Sequence, residues 1–152
     1  MARRVIDSNR YMTIGTVDDA GHPWVSPVYF TPVGYRVFYW VSSPETRHSR
    51  NIAQRPQVSI VVFDSQVQIG GAEAVYLAGR AEQVPDSELA ERCGEAFPPR
   101  FPGVYPFRPE ELRPPAPLRL YRAVITEHSV LLRGSHPLNA QGTDQRVRTV
   151  LP

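Results

Sequence analysis

Between residues 11 and 64 the chain lays down four runs of β-branched and aromatic residues, and only the last gap between them has room for a helix. Such close spacing points to antiparallel neighbours in a small sheet. The first run, 11–17, is followed by Asp18-Asp19-Ala20-Gly21-His22, where Gly21 can take a positive φ and the Asp side chains can hold neighbouring amides. A hairpin into the second run, 23–31, follows. Pro27 lies inside that run and cannot donate to a ladder, so it belongs at an edge or a bulge. After a turn at 32–35, the third run, 36–41, sets Val37, Tyr39 and Val41 on one face and Phe38 and Trp40 on the other. Both faces are apolar, so both need covering, which suits a barrel strand lying against a second subunit or a planar ligand. Helical spacing predicts a short helix over 46–55, stopped by Pro56, and a fourth strand over 57–63.

The remainder reads more loosely. Residues 2–9 fit the end of a helix, and 74–84 a long strand that Gly79 bends or bulges. Asp86 or Ser87 is placed to cap a helix over 88–97, with Leu89, Cys93 and Phe97 on its inner side. Proline-rich 98–117 reads as a lid, an interface loop or a rigid connector, with a single turn at 109–112. A strand is expected over 118–127 and another over 129–133, and the polar tail 134–152 is expected to be partly disordered. About six strands and two short helices predict a mainly β protein built as a small antiparallel barrel, because open edges invite aggregation.

With 152 residues, 41% of them hydrophobic, the chain suits one domain spanning 1–152. Its net charge of +2 is small and its basic residues are dispersed, which argues against a nucleic-acid partner. All 17 of those basic residues are Arg, a bias that fits a GC-rich genome. Cys93 is the lone cysteine, so an intrachain disulfide and a Cys-rich zinc site are excluded and a reducing cytoplasm is expected. No apolar run approaches bilayer length, so no membrane partner is expected.

The connector 42–51 carries the chemistry. Arg47 and His48 stand among the hydroxyls of Ser43, Thr46 and Ser49 at the opening of the predicted helix. A phosphate there would meet a guanidinium fork and oriented amides. The plain alternative is a polar turn with an N-capping hydroxyl and a solvated Arg.

Five segments in order, 21–30, 37–43, 46–52, 55–62 and 79–82, make the chain resemble the pyridoxamine 5'-phosphate oxidase-like family of flavin and deazaflavin oxidoreductases. The resemblance implies a split β-barrel of the FMN-binding Greek-key type, working as a homodimer with its cofactor in the groove between subunits. It implies FMN as cofactor, or alternatively an 8-hydroxy-5-deazaflavin coenzyme of F-420 type, whose acidic tail Arg50 or Arg55 could serve. By position, Ser26, Pro27 and Val28 would meet the ring through their main chain, Tyr39, Trp40 and Val41 would form the next wall, and Arg47 and His48 would hold the phosphate beside Ser43, Thr46 and Ser49.

Two departures stand out: His48 replaces a lysine common in the family, and Thr31 stands where the oxidase itself has a substrate-binding lysine. Together with a terminal segment of different character, they argue against vitamin B6 phosphate as the small-molecule substrate. The expected activity is hydride or electron transfer to or from a small organic molecule, the chemistry coming from the cofactor. Trp24, Trp40, Tyr76 and Tyr105 could line its substrate side, or serve the core or a subunit interface. A non-catalytic flavin- or haem-binding module, a sensor or carrier, is the alternative. A metal hydrolase built on His22, His48, His128 and His136 lacks ligand spacing and an accompanying carboxylate.

Overall fold

The computed structural model describes residues 1–151. In chain order it forms α1 (Ala2–Ser8), β1 (Tyr11–Val17), β2 (Pro23–Tyr29), β3 (Thr31–Val33), β4 (Val37–Ser42), α2 (Arg47–Gln54), β5 (Gln57–Phe63), β6 (Ala74–Gln83), α3 (Leu89–Ala96), β7 (Arg119–Leu132) and β8 (Gln145–Thr149). Single 3-10 turns occupy Asp86–Glu88 and Pro109–Leu112.

All pairings are antiparallel, in the order β2-β1-β5-β6-β7-β4-β3, with β8 added to β7. The two ends of that order are consecutive in the chain, because β2 stops at Tyr29 and β3 starts at Thr31. The sheet must therefore curl until its ends meet at Phe30, which is fully buried and donates its amide to Arg10 O at 3.2 Å. Beyond that corner β2 and β4 share no ladder with each other among the described residues, and the barrel is split there. Pro23 and Pro27 both lie on β2, which is paired on one side only, the kind of strand in which proline is tolerated.

Alternation sends Met12, Ile14, Phe38, Trp40, Ile60 and Val62 into the barrel. Phe30 stacks on Phe38, and Trp40 on Tyr121. A second apolar cluster lies outside, where Tyr39 and Leu120 meet Leu89, Cys93, Ala96 and Leu112. The outward face of β4, expected to need a subunit or a ligand, is in part covered by the chain's own α3 and the turn Pro109–Leu112.

Other expectations shift. The second run divides into two strands because the chain changes pairing partner at Phe30. The two strands expected over 118–127 and 129–133 are one, β7, held along its length by β6 and then by β8. The tail expected to be partly disordered supplies β8, and Leu151 is buried in the barrel core. Neither Asp86 nor Ser87 caps α3: a 3-10 turn occupies that place and no side chain caps the helix.

The bulge expected at Gly79 is present, with the β6 to β7 register shifting between Ala78 and Gly79. A Cβ at Gly79 would run into the carbonyl oxygen of Val124, main chain that cannot turn aside. At Gly94, on the exposed side of α3, a Cβ meets nothing. Urea unfolding should therefore separate two identical substitutions: Gly79→Ala destabilises by ~1–3 kcal/mol through overpacking, whereas Gly94→Ala stabilises by ~0.5–1 kcal/mol through helix propensity. Equal effects would contradict this packing.

Candidate functional site

The split between β2 and β4 is bridged by one side chain. His48, in the first turn of α2 and 7% exposed, lies with Nδ1 3.1 Å from Ser26 Oγ on β2. Its Nε2 lies 2.8 Å from Ser42 Oγ at the end of β4 and 3.1 Å from Thr46 Oγ1. Ser26 Oγ also accepts from Trp24 Nε1 at 3.1 Å. Burial pushes the His48 pKa below its ordinary value of 6.5, and the ring is neutral.

Thr46 is the N-cap of α2 and accepts from Ser49 N at 3.4 Å, while its hydroxyl lies 2.8 Å from Ser49 Oγ. Asn51 Nδ2 donates to Thr16 Oγ1 on β1 at 3.0 Å, and Arg55 donates to Asp19 O at 2.9 Å. The polar face of α2 is thus its inner face, and it sews the helix to β1, β2 and β4.

Arg47 points the other way. Its guanidinium lies over the Trp24 ring, 4.4 Å from the centroid, with one nitrogen 3.3 Å from Asp18 Oδ2. Its side chain remains 44% exposed. Asp18 is held below the usual carboxylate range, first by the amide of His22 and then by Arg47. The same Asp18 side chain organises the hairpin turn, accepting from the amides of Ala20 and His22 at 3.0 and 2.8 Å.

The expected residues therefore divide. Ser26, Thr46, His48 and Ser49 form one polar knot with Ser42, in which Ser42, His48 and Ser49 are buried and Ser26 and Thr46 partly so, and Arg47, paired with Asp18, stands beside it. His48 does not face outward as a phosphate donor would, because both ring nitrogens are taken by hydroxyls. Ser43 Oγ accepts from Glu45 N at 3.2 Å. Pro27 is exposed at the sheet edge opposite Thr13, and Val28 is buried in the barrel. Tyr39 and Val41 face outward, whereas the Trp40 ring turns inward onto Tyr121, leaving its main chain for the outer wall. Thr31 is buried. The sequence showed Asp18 only as a turn former and Ser42 only as the start of the connector: the contact of Asp18 with Arg47 and that of Ser42 with His48 join residues whose spacing carries no signal.

A flavin-type group asks for a cation with free donors, hydroxyls and amides near a helix start, and main chain that is not fully laddered. Arg47, the first turn of α2 and the unpaired edge of β2 meet those requirements, with Asp18 as a competitor for the guanidinium. Among the described residues no cluster of His, Cys, Asp and Glu is placed to hold a metal ion, and no helix is long and apolar enough to cross a membrane.

The pyridoxamine 5'-phosphate oxidase family model matches residues 2–129. No curated protein matches the sequence. Among solved structures, the chain is similar to a haem-binding protein from Mycobacterium smegmatis, with TM-score 0.69 and 19% identity over 97% of this chain. It spans 56% of that protein's chain. It is also similar to an F420 reductase, with TM-score 0.60 and 22% identity over 84% of this chain and 94% of that one. A third likeness is to an FAD-binding protein from Mesorhizobium loti, with TM-score 0.62 and 25% identity over 84% and 89% of the two chains. The split barrel and a family match running through most of its strands agree: the chain belongs to the pyridoxamine 5'-phosphate oxidase family.

Proposed function

We propose that the protein is an oxidoreductase that holds FMN, or a deazaflavin of F-420 type, in a groove between two copies of the chain. Hydride or electrons then pass to or from a small organic substrate. The observation that carries this reading is the half-exposed Arg47 guanidinium, fixed over Trp24 at the start of α2 beside the unpaired edge of β2. In this reading Arg47 holds the cofactor's phosphate with the first-turn amides of α2 and the Ser43 hydroxyl, releasing Asp18 as it does so. The main chain at Ser26, Pro27 and Val28 meets the ring, and Tyr39, Trp40 and Val41 wall it. His48 acts as a positioning residue: it fixes the distance between β2 and β4. When bound, the cofactor supplies the redox chemistry. The likeness to an F420 reductase and to an FAD-binding protein supports this class of cofactor.

The second copy docks on the outer face of β2, β1, β5 and β6. Val25, Gly15, Ser59 and Ala78 stand side by side in register across these four strands, a flat row that lets another sheet approach closely. Val25 is 65% exposed in the single chain. The likeness to a haem-binding protein favours a second reading, in which the same groove carries a pigment without turnover.

The absorption and fluorescence spectra of the purified protein decide among flavin, deazaflavin and haem. Bleaching by reduced nicotinamide with turnover of an organic acceptor supports the enzyme, and a bound pigment that never changes redox state supports the carrier. Arg47→Ala should weaken cofactor binding about 10- to 100-fold, the worth of a charge-assisted contact. Unchanged retention would remove Arg47 from the site.

Sedimentation should show dimers of the native chain and monomers of Ala78→Arg; a native monomer would end the shared-groove reading. A third expectation concerns pH. His48 takes up a proton more readily unfolded than folded, so its contribution to stability is complete above 6.5 and is lost as pH falls toward its lower folded pKa. Urea midpoints measured between pH 8 and pH 5 should fall less steeply for His48→Gln than for the native chain, and identical slopes would contradict the neutral, buried assignment.

A further inference from the structure

The outer side of β4 faces a second cavity. Residues 97–107 arch over a space of about 490 Å³ with aromatic walls: Tyr11, Tyr29 and Tyr39 from the strands, and Phe97, Phe101 and Phe107 from the arch. That volume suits a small-molecule ligand. The rings brace one another. Phe97 and Phe107 have centroids 5.5 Å apart, Tyr105 meets Phe107 edge-on at 4.7 Å, and Tyr11 meets Tyr29 edge-on at 6.2 Å. Arg100 fastens the arch, donating to Phe30 O at 2.6 Å and to Ile6 O at 3.1 Å while its guanidinium lies over the rings of Phe30 and Phe101.

The charge in this wall is one-sided. Arg10 is its one ionic residue; it is exposed, sits 5.2 Å over the Phe101 ring, and has no carboxylate paired with it among the described residues. Tyr39 adds no charge, since burial and then its bond to Glu95 push its pKa up to about 12. Tyr29 Oη, beneath the same arch, is a buried polar atom with no hydrogen-bond partner. An apolar, ring-lined space with an unpaired guanidinium and an orphaned hydroxyl calls for a ligand with a flat apolar body and one anionic end.

We propose that this cavity binds a planar aromatic carboxylate, its ring between the aromatic walls and its carboxylate at Arg10. One carboxylate oxygen satisfies Tyr29 Oη as the acid slides beneath Phe101. The inference rests on the proposed function and names the substrate class of its site: Tyr39, Trp40 and Val41, the proposed wall of the cofactor, line the cavity, as does Thr31, where the oxidase itself has its substrate-binding lysine, whereas none of Arg47, His48 or Ser26 does. Aromatic acids of this size therefore have a place next to a redox group without competing for its phosphate.

Calorimetric titration of the full-length purified protein with 2-naphthoate, 2-naphthamide and cyclohexanecarboxylate tests the proposal. Saturable binding of one naphthoate per chain is expected, with the neutral amide and the non-aromatic acid each about tenfold weaker or more. Arg10→Gln should bring naphthoate down to the level of naphthamide and leave naphthamide unchanged. Tyr29→Phe, which keeps the ring, should weaken naphthoate severalfold, and near-ultraviolet circular dichroism checks that each variant is folded.

Equal binding of acid and amide, native affinity in both variants, or no saturable binding would overturn it. So would naphthoate binding that Arg47→Ala abolishes and Arg10→Gln leaves intact, because the ligand would then sit in the cofactor groove. Pigment retention, read on the same samples, reports on the cofactor proposal separately.

Discussion

One stretch of chain, residues 23–33, has to serve two partners, and most of the architecture follows from that. Its first part pairs with β1 and its last part with β4, so the sheet has no choice but to roll until those two strands flank a single corner. The barrel closes at Phe30 because that ring fills the corner, stacked on Phe38 at 5.5 Å. It stays open further along because β2 and β4 diverge from there and share no ladder. An opening in a sheet is normally a liability, with unpaired amides on show. Here Pro23 and Pro27 remove two of the donors, and α2 lies across the gap.

What keeps the opening at a fixed width is polar rather than apolar. His48 reaches Ser26 on one side and Ser42 on the other, and the three-way contact is worth having only while the imidazole is neutral and every partner is in place. Burying a histidine costs solvation, which its three hydroxyl neighbours offset. The same helix turn then aims its next residue, Arg47, outward. A buried positioning group and an exposed cation on adjacent residues are a consequence of helical geometry, since neighbours along a helix point about 100° apart.

The sequence made the strands from 11 to 63, the α2 segment, the bulge at Gly79 and the anchoring turn at Asp18 legible, because each has a local cause: alternation, a stop at Pro56, a missing Cβ, a short carboxylate near free amides. It concealed the division of the second run, because a change of pairing partner leaves no trace in hydrophobicity. It also concealed β8, whose Gln145-Arg146-Val147-Arg148-Thr149 is polar enough to read as solvent-exposed chain, and is exposed apart from its ladder with β7. At the site, Arg47 and His48 were visible as a basic pair, but their opposite orientations were not. The resemblance put Trp40 in a ligand wall by position; β4 is apolar on both faces, and only the tertiary structure shows that the Trp40 ring faces the barrel while Tyr39 meets α3.

The amino-acid sequence by itself settled the class of fold and the family, because both rest on local patterns that repeat in order: period-two apolar runs, turn residues and a polar helix start. Tertiary structure alone decided which of the polar residues became buried ties and which stayed free to meet a ligand, and where the aromatic cavity beneath residues 97–107 would form. The reason is physical. Whether a hydroxyl, an imidazole or a guanidinium is spent on the protein or left for a partner depends on neighbours tens of residues away, and no local spacing records them.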